Sequence, residues 1–193
     1  MILSTDDPEI AETGRRCGLE VPFQRPAELA EDVTPMLSVV QHAVGWMEGL
    51  RARFDTVCVL QPTSPLRRPD DIDRCIDLLR ARCADSVISV LPVPPVHNPH
   101  WVYLETEAGT LRLSTGEAEP ISRRQDLPPA YHRDGSIYVV RRDVLMKQNS
   151  LYGARVFGYV LDAKFSVNID SLDDWKTAEM LLSMAGTGVS AGG

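Results

Sequence analysis

Apolar positions along the chain fall into short unbroken runs separated by longer stretches of helical spacing. Val57 to Leu60, Val87 to Leu91, Ser136 to Val140 and Phe157 to Leu161 are runs of strand length, each ended by proline or a polar or charged residue. Val57 to Leu60 shows no alternation, the pattern of a parallel strand buried on both faces. Met1 to Leu3 and Leu19 to Phe23 read as shorter strands, and Asp134-Gly135 as a turn into the Ser136 strand.

Helical spacing appears between these runs. Ser4-Thr5-Asp6-Asp7-Pro8-Glu9 supplies capping residues, a first-turn proline and early acids, opening a helix through Cys17 that Gly18 ends. Thr34-Pro35 opens a second, with Leu37, Val40, Val44 and Met47 on one face. A third runs from Pro69 to Ala84 with Ile72, Cys75, Ile76, Leu79 and Cys83 as its stripe. Its Asp71-Ile72-Asp73 complements the helix dipole, because i and i+2 face different ways. Ser171-Leu172-Asp173-Asp174 resembles a capping box before Trp175, Ala178, Leu181 and Leu182. Trp101 to Leu104 and Leu111 to Leu113 alternate as a hairpin around Ala108-Gly109. Strand–helix alternation predicts a three-layer α/β sheet with an antiparallel excursion, in one domain over residues 1–185, followed by a disordered tail at 186–193.

In such a sheet the ligand crevice lies beyond the carboxyl ends of the strands. Gln61, Thr63 and Ser64 follow the Val57 run there, offering an amide and two hydroxyls, while Pro62 and Pro65 fix the loop. An ordinary strand–helix loop reads the same way from this stretch alone.

Composition adds exclusions. The 193 residues carry a net charge of −7, which argues against nucleic acid as main partner. No apolar run approaches the ~18 residues of a membrane span, and no signal peptide is evident, so a cytoplasmic protein is expected. Cys17, Cys58, Cys75 and Cys83 show no C-x-x-C spacing and read as buried hydrophobes. His97 and His100 lack a third metal ligand nearby. No nucleophile elbow, catalytic triad, H-E-x-x-H or P-loop is present.

Six segments in order, Ser4-to-Ala11, Val21-to-Ala30, Leu60-Gln61-Pro62-Thr63-Ser64-Pro65-Leu66-Arg67, Arg124-Gln125-Asp126, Gly135-Ser136-Ile137-Tyr138 and Ile169-Asp170 with Asp174-Trp175, resemble the acylneuraminate cytidylyltransferase family. The resemblance implies a Rossmann-like nucleotidyltransferase sheet. It implies transfer of CMP from CTP to the anomeric hydroxyl of an acidic 2-keto sugar, with Mg²⁺ as cofactor and release of pyrophosphate. By the same resemblance Arg25 and Asp134 lie on the nucleotide side. Gln61, Thr63, Ser64, Arg124, Tyr138 and Tyr152 contact the sugar, Asp170 is catalytic, and Asn168 and Asp170 hold the metal. It further implies a homodimer joined through an excursion at about residues 92–160.

Three departures accompany the resemblance. The family begins with a strand and a Gly-, Arg- and Lys-rich triphosphate loop that the first residues here do not contain. That strand would lie beside the Phe54 strand, and truncation upstream of Met1 is the expectation. Asp134 replaces the usual Asn, and Asn168 the first acid of the metal pair. Thr34-Pro35-Met36 replaces a Ser-rich helix start, which suggests a legionaminate-like or pseudaminate-like sugar. Two alternatives stay open: a catalytically inert homologue keeping the sugar and dimer half, and a sugar-nucleotide glycosyltransferase.

Overall fold

The computed structural model describes residues 1–51 and 53–187. Its order is α1 (Pro8–Arg16), α2 (Met36–Leu50), β1 (Thr56–Leu60), α3 (Pro69–Ala81), β2 (Ser86–Pro92), β3 (Tyr103–Glu105), β4 (Leu111–Leu113), β5 (Tyr131–Arg141), α4 (Arg142–Lys147), β6 (Val156–Val160) and α5 (Leu172–Thr187). The main sheet runs β1-β5-β2-β6, and β3-β4 form a separate hairpin. β2 and β6 are parallel, whereas β5 runs antiparallel to both β1 and β2.

Alternation along β1 divides the core. Val57 and Val59 pack toward α2 and α4, with Val40, Val44, Val140, Val144 and Leu145. Cys58 and Leu60 pack toward α3, with Cys75, Leu79, Val87, Ile137 and Val139. Helices therefore cover both faces here, which gives the three layers expected. Burial pushes the Cys58 thiol up to about 11 and that of Cys75 to about 12. Both stay neutral and behave as small apolar groups.

Several local expectations are corrected. β1 is no interior parallel strand: its ladder is antiparallel to β5, and it stands at the sheet edge, half-buried along its length. Met1 to Leu3 and Leu19 to Phe23 form only a single parallel bridge, Ile2 to Glu20. Between that bridge and β1 lies a groove of about 670 Å³, roofed by Met36, Val39, Val40 and Ala43 of α2. Among the described residues no further strand lies beside these runs to extend the bridge into a ladder.

Asp134-Gly135 does not turn the chain. β5 passes straight through both residues, and the register against β2 shifts between Ile88 and Val90. α3 ends at Ala81, leaving Cys83 exposed at φ +46°, outside the stripe assigned to it. Cys17 is exposed as well, so only Cys58 and Cys75 fit the buried reading. Asp71 does more than face a dipole: it is 2% exposed and accepts from Arg68 and the Tyr159 hydroxyl. In α5 the Ser171/Asp174 capping box forms, but Trp175 and Leu182 face outward and Ala178 is buried. The expected tail begins inside α5, which runs to Thr187; residues 188–193 lie outside the described residues.

Candidate active site

The crevice forms where the β1 loop meets an irregular stretch of β5. β5 sets four residues, Asp134 to Ile137, opposite the single Ser89 of β2, and Gly135 takes φ +93° there, a conformation open to glycine at little strain. A side chain completes the broken ladder. Ser89 Oγ accepts from the Ile137 amide at 3.0 Å and lies 3.3 Å from the Ile137 carbonyl. Bulges of this kind re-aim neighbouring side chains, and this one turns Asp134 toward Ser166, ahead of Asn168 and Asp170.

Asp134 then acts as a hub. Its Oδ2 accepts from the Ser136 amide at 3.1 Å, from Ser89 Oγ at 3.2 Å and from Ser136 Oγ, while Oδ1 accepts from Ser166 Oγ. Burial pushes the Asp134 carboxyl up, but the Ser136, Ser166 and Ser89 donors outweigh it and hold the group below the ordinary carboxylate range. Both oxygens are thus engaged, and one of them fastens the segment that leads to Asn168 and Asp170.

A second tie joins that segment to the β1 loop. The Ile169 amide donates to the Thr63 carbonyl at 2.8 Å. Arg67 completes the frame, donating to the carbonyls of Gln61, Ser64 and Ser136. Gln61, Thr63, Ser64, Asp134, Asn168 and Asp170 are therefore brought together. Within this frame Thr63 Oγ1 is buried and unpartnered among the described residues.

Arg25 stands on the other flank. Its Nε donates to Ser4 Oγ at 3.2 Å and its Nη2 to the Ser4 carbonyl, beside the groove that Gln61 also lines. The remaining sugar-side residues are not gathered by bonds to this frame. Tyr138 is 1% exposed, its ring centroid 6.5 Å from that of Tyr152, and Arg133 Nη1 reaches the Tyr152 hydroxyl at 3.4 Å. Arg124 is exposed in a 3₁₀ turn (Arg124–Asp126) and bonds to no crevice residue among those described.

The metal pair is small. Asn168 Nδ2 donates to Asp170 Oδ2 at 2.6 Å, and Asp174 Oδ2 accepts from the amides of Asp170 and Ser171. No cluster of three His, Cys, Asp or Glu side chains with metal-ligand geometry occurs among the described residues. One carboxylate with an amide oxygen beside it suits Mg²⁺, which keeps several waters and takes further oxygens from phosphate.

Sequence reasoning found the loop and both acids but gave no role to Arg67, Ser89, Ser136 or Ser166. Arg67 was visible six residues after Gln61 at the close of the proline loop. The serines carried no local signal, since a distant strand and loop bring them together.

No protein-family model matches the chain. It is 30% identical over 183 residues to the post-translational flagellin modification protein B of Campylobacter coli, spanning 94% of this chain and 76% of that protein. It is also 30% identical over 185 residues to the CMP-N,N'-diacetyllegionaminic acid synthase of Campylobacter jejuni, spanning 95% of this chain and 77% of that one. A solved CMP:2-keto-3-deoxy-manno-octonic acid synthetase complexed with CTP shares the fold, with a TM-score of 0.64, 15% identity and coverage of 94% and 80% of the two chains.

Proposed function

The chain belongs to the acylneuraminate cytidylyltransferase family, and from that premise we propose that its crevice transfers CMP from CTP to an acidic 2-keto sugar. The anomeric hydroxyl oxygen forms a bond to the α-phosphorus, the bond to the bridging β-phosphate oxygen breaks, and pyrophosphate leaves. The carrying observation is the frame at the end of β1, where the Gln61–Ser64 loop, Asp134 and the Asn168–Asp170 segment are locked together.

Such a reaction needs positioning and cationic or amide donors around the developing charge. The Gln61 amide and the orphaned Thr63 hydroxyl supply polar contacts for the sugar, since a buried unpaired hydroxyl is stabilised by a ligand partner. Ser64 is buried beneath them and shapes the loop. Arg25 faces the nucleotide from the groove, and Asp134 shapes the nucleotide side through the bulge. Arg124 has the planar fork that suits a sugar carboxylate. It lies in the excursion, so it serves this crevice only when the excursion meets the ligand. Tyr138 and Tyr152 form an aromatic wall beside β5. Asp170 and Asn168 would hold Mg²⁺, which supplies neutralisation of phosphate charge when bound.

A homodimer fits the surface. Val156, Val160 and Tyr131 are 42%, 47% and 53% exposed on one sheet face, around a groove of about 290 Å³. The β3-β4 hairpin also exposes Leu104 and Leu111. A second copy covering the sheet face would bury Val156, Val160 and Tyr131, which light scattering tests. No helix among the described residues is long and apolar enough to cross a membrane. Cytoplasmic synthesis of an activated sugar for surface glycans is part of the proposal.

The test is pyrophosphate release by the 193-residue protein with CTP, Mg²⁺ and a panel of 2-keto sugar acids, legionaminate- and pseudaminate-type acids included. Release that requires both substrates supports the assignment. Folded protein that is silent with every acid, also when extended upstream of Met1, overturns it.

A further inference from the structure

We propose that Arg67 is the positioning residue of the crevice: it holds the Gln61–Pro65 loop against β5 in the shape that presents Gln61 and Thr63. The inference rests on the reading of the crevice given above. The Arg67 guanidinium donates from Nη2 to the carbonyls of Gln61 at 2.9 Å and Ser64 at 3.4 Å, and from Nη1 to those of Gln61 and Ser136 at 3.3 Å each. One planar fork therefore spans the start of the loop, its far side and the β5 bulge.

The loop depends on this fork because its own backbone holds it poorly. Pro62 and Pro65 have no N–H to donate. The loop's internal bond, from the Ser64 amide to the Gln61 carbonyl, is long at 3.4 Å. The Thr63 carbonyl accepts from the Ile169 amide, so a displaced loop would also displace the segment carrying Asn168 and Asp170. Every bond of the Arg67 side chain goes to a backbone carbonyl, so the residue acts through the loop. A lysine ammonium is a compact point charge that cannot span three separated acceptors.

Arg67→Lys and Arg67→Met in the full chain test this, with Val144→Ala as a destabilised control remote from the crevice. Hydrogen exchange would be read at the Ser64 and Ile169 amides against Val87 and Val139, and binding by calorimetry with N-acetylneuraminate and with legionaminate- and pseudaminate-type acids. Exchange at Ser64 and Ile169 should quicken about tenfold or more in both Arg67 variants, with Val87 and Val139 unchanged. Binding should weaken about tenfold in Arg67→Met and less in Arg67→Lys. Unchanged loop exchange in folded variants overturns the proposal. So does uniform acceleration at all four amides, or the same selective change in Val144→Ala. If the unaltered protein binds no 2-keto sugar acid, the crevice reading fails, while the exchange pattern still decides the role of Arg67.

Discussion

One edge of β1 meets β5 across five paired residues, Thr56–Arg141 to Leu60–Ile137, while the other meets the groove that runs toward Met1 and Ile2. The same five residues thus see two environments. Toward β5 the backbone is laddered, and the strand's end opens onto the Asp134 hub and the Arg67 fork. Toward the groove no strand pairs with β1 among the described residues, although α2 and α3 still cover its two faces. Apolar side chains on both faces normally mark an interior strand, and edge strands are usually blunted by charge, proline or bulges. β1 (TVCVL) carries none of these. Side-chain burial and backbone pairing are separate requirements, and here the first is met on both faces while the second is met on one edge.

The largest test of this contrast compares packing on its two sides. Leu145, fully buried in α4 against β5 and α2, should lose about 3 kcal/mol on change to Ala. Val39 lines the groove, and Val39→Ala should lose under about 1 kcal/mol, because its neighbours there are fewer. Urea unfolding measures both. Equal losses would mean that the groove side is as tightly packed as the β5 side.

Asp134 comes next in size. Replacing it by Ala leaves the Ser89, Ser136 and Ser166 hydroxyls without their shared acceptor and should destabilise by about 2 kcal/mol at pH 7. The folded pKa lies below the ordinary value of about 3.9. Its stabilising contribution is therefore fully present above that value and is lost as pH falls through the folded one. The unaltered protein should lose stability on acidification below about pH 4, and Asp134→Ala should show a shallower acid limb. An unchanged limb would show that the hub is not bonded as a carboxylate. Asp71, held low chiefly by its bond to Arg68, contributes in the same direction in both proteins.

What could be read from sequence follows the same division. Patterns set by near neighbours were legible: α1 with its Asp7 cap, the α3 start at Pro69, the β3-β4 hairpin and the Ser171/Asp174 box. The crevice loop was legible too, because proline and hydroxyl residues directly follow an apolar run. Pairing partners were not. That β5 inserts antiparallel between β1 and β2 depends on residues about forty to eighty-five positions apart, and composition says nothing of it. The Asp134-Gly135 dipeptide carries a turn signal, yet tertiary pairing overrides it and makes a bulge. Serine hydroxyls that replace ladder bonds leave no periodicity to detect.

Amide exchange should separate the two edges at smaller energy. The β1 amides that point away from β5 should exchange about tenfold or more faster than those that point toward it. Uniform protection along β1 would show that its groove edge is paired in solution.

The smallest effect on stability belongs to Thr63. Its Oγ1 is buried and has no partner among the described residues, an arrangement that costs roughly 1–3 kcal/mol of lost hydration. Thr63→Val keeps the branched shape and removes the orphaned hydroxyl, so the melting temperature should stay level or rise slightly. The loop's ties survive, because the Ile169 amide reaches the Thr63 backbone carbonyl and not its side chain. A sugar acid that uses the hydroxyl should bind about tenfold more weakly to the variant, a loss of about 1.4 kcal/mol. A stabilised protein with weaker binding would mean that the hydroxyl is kept for its ligand at the expense of the fold. Equal binding at raised stability would remove Thr63 from the sugar contacts and leave Gln61 as the loop's polar contribution.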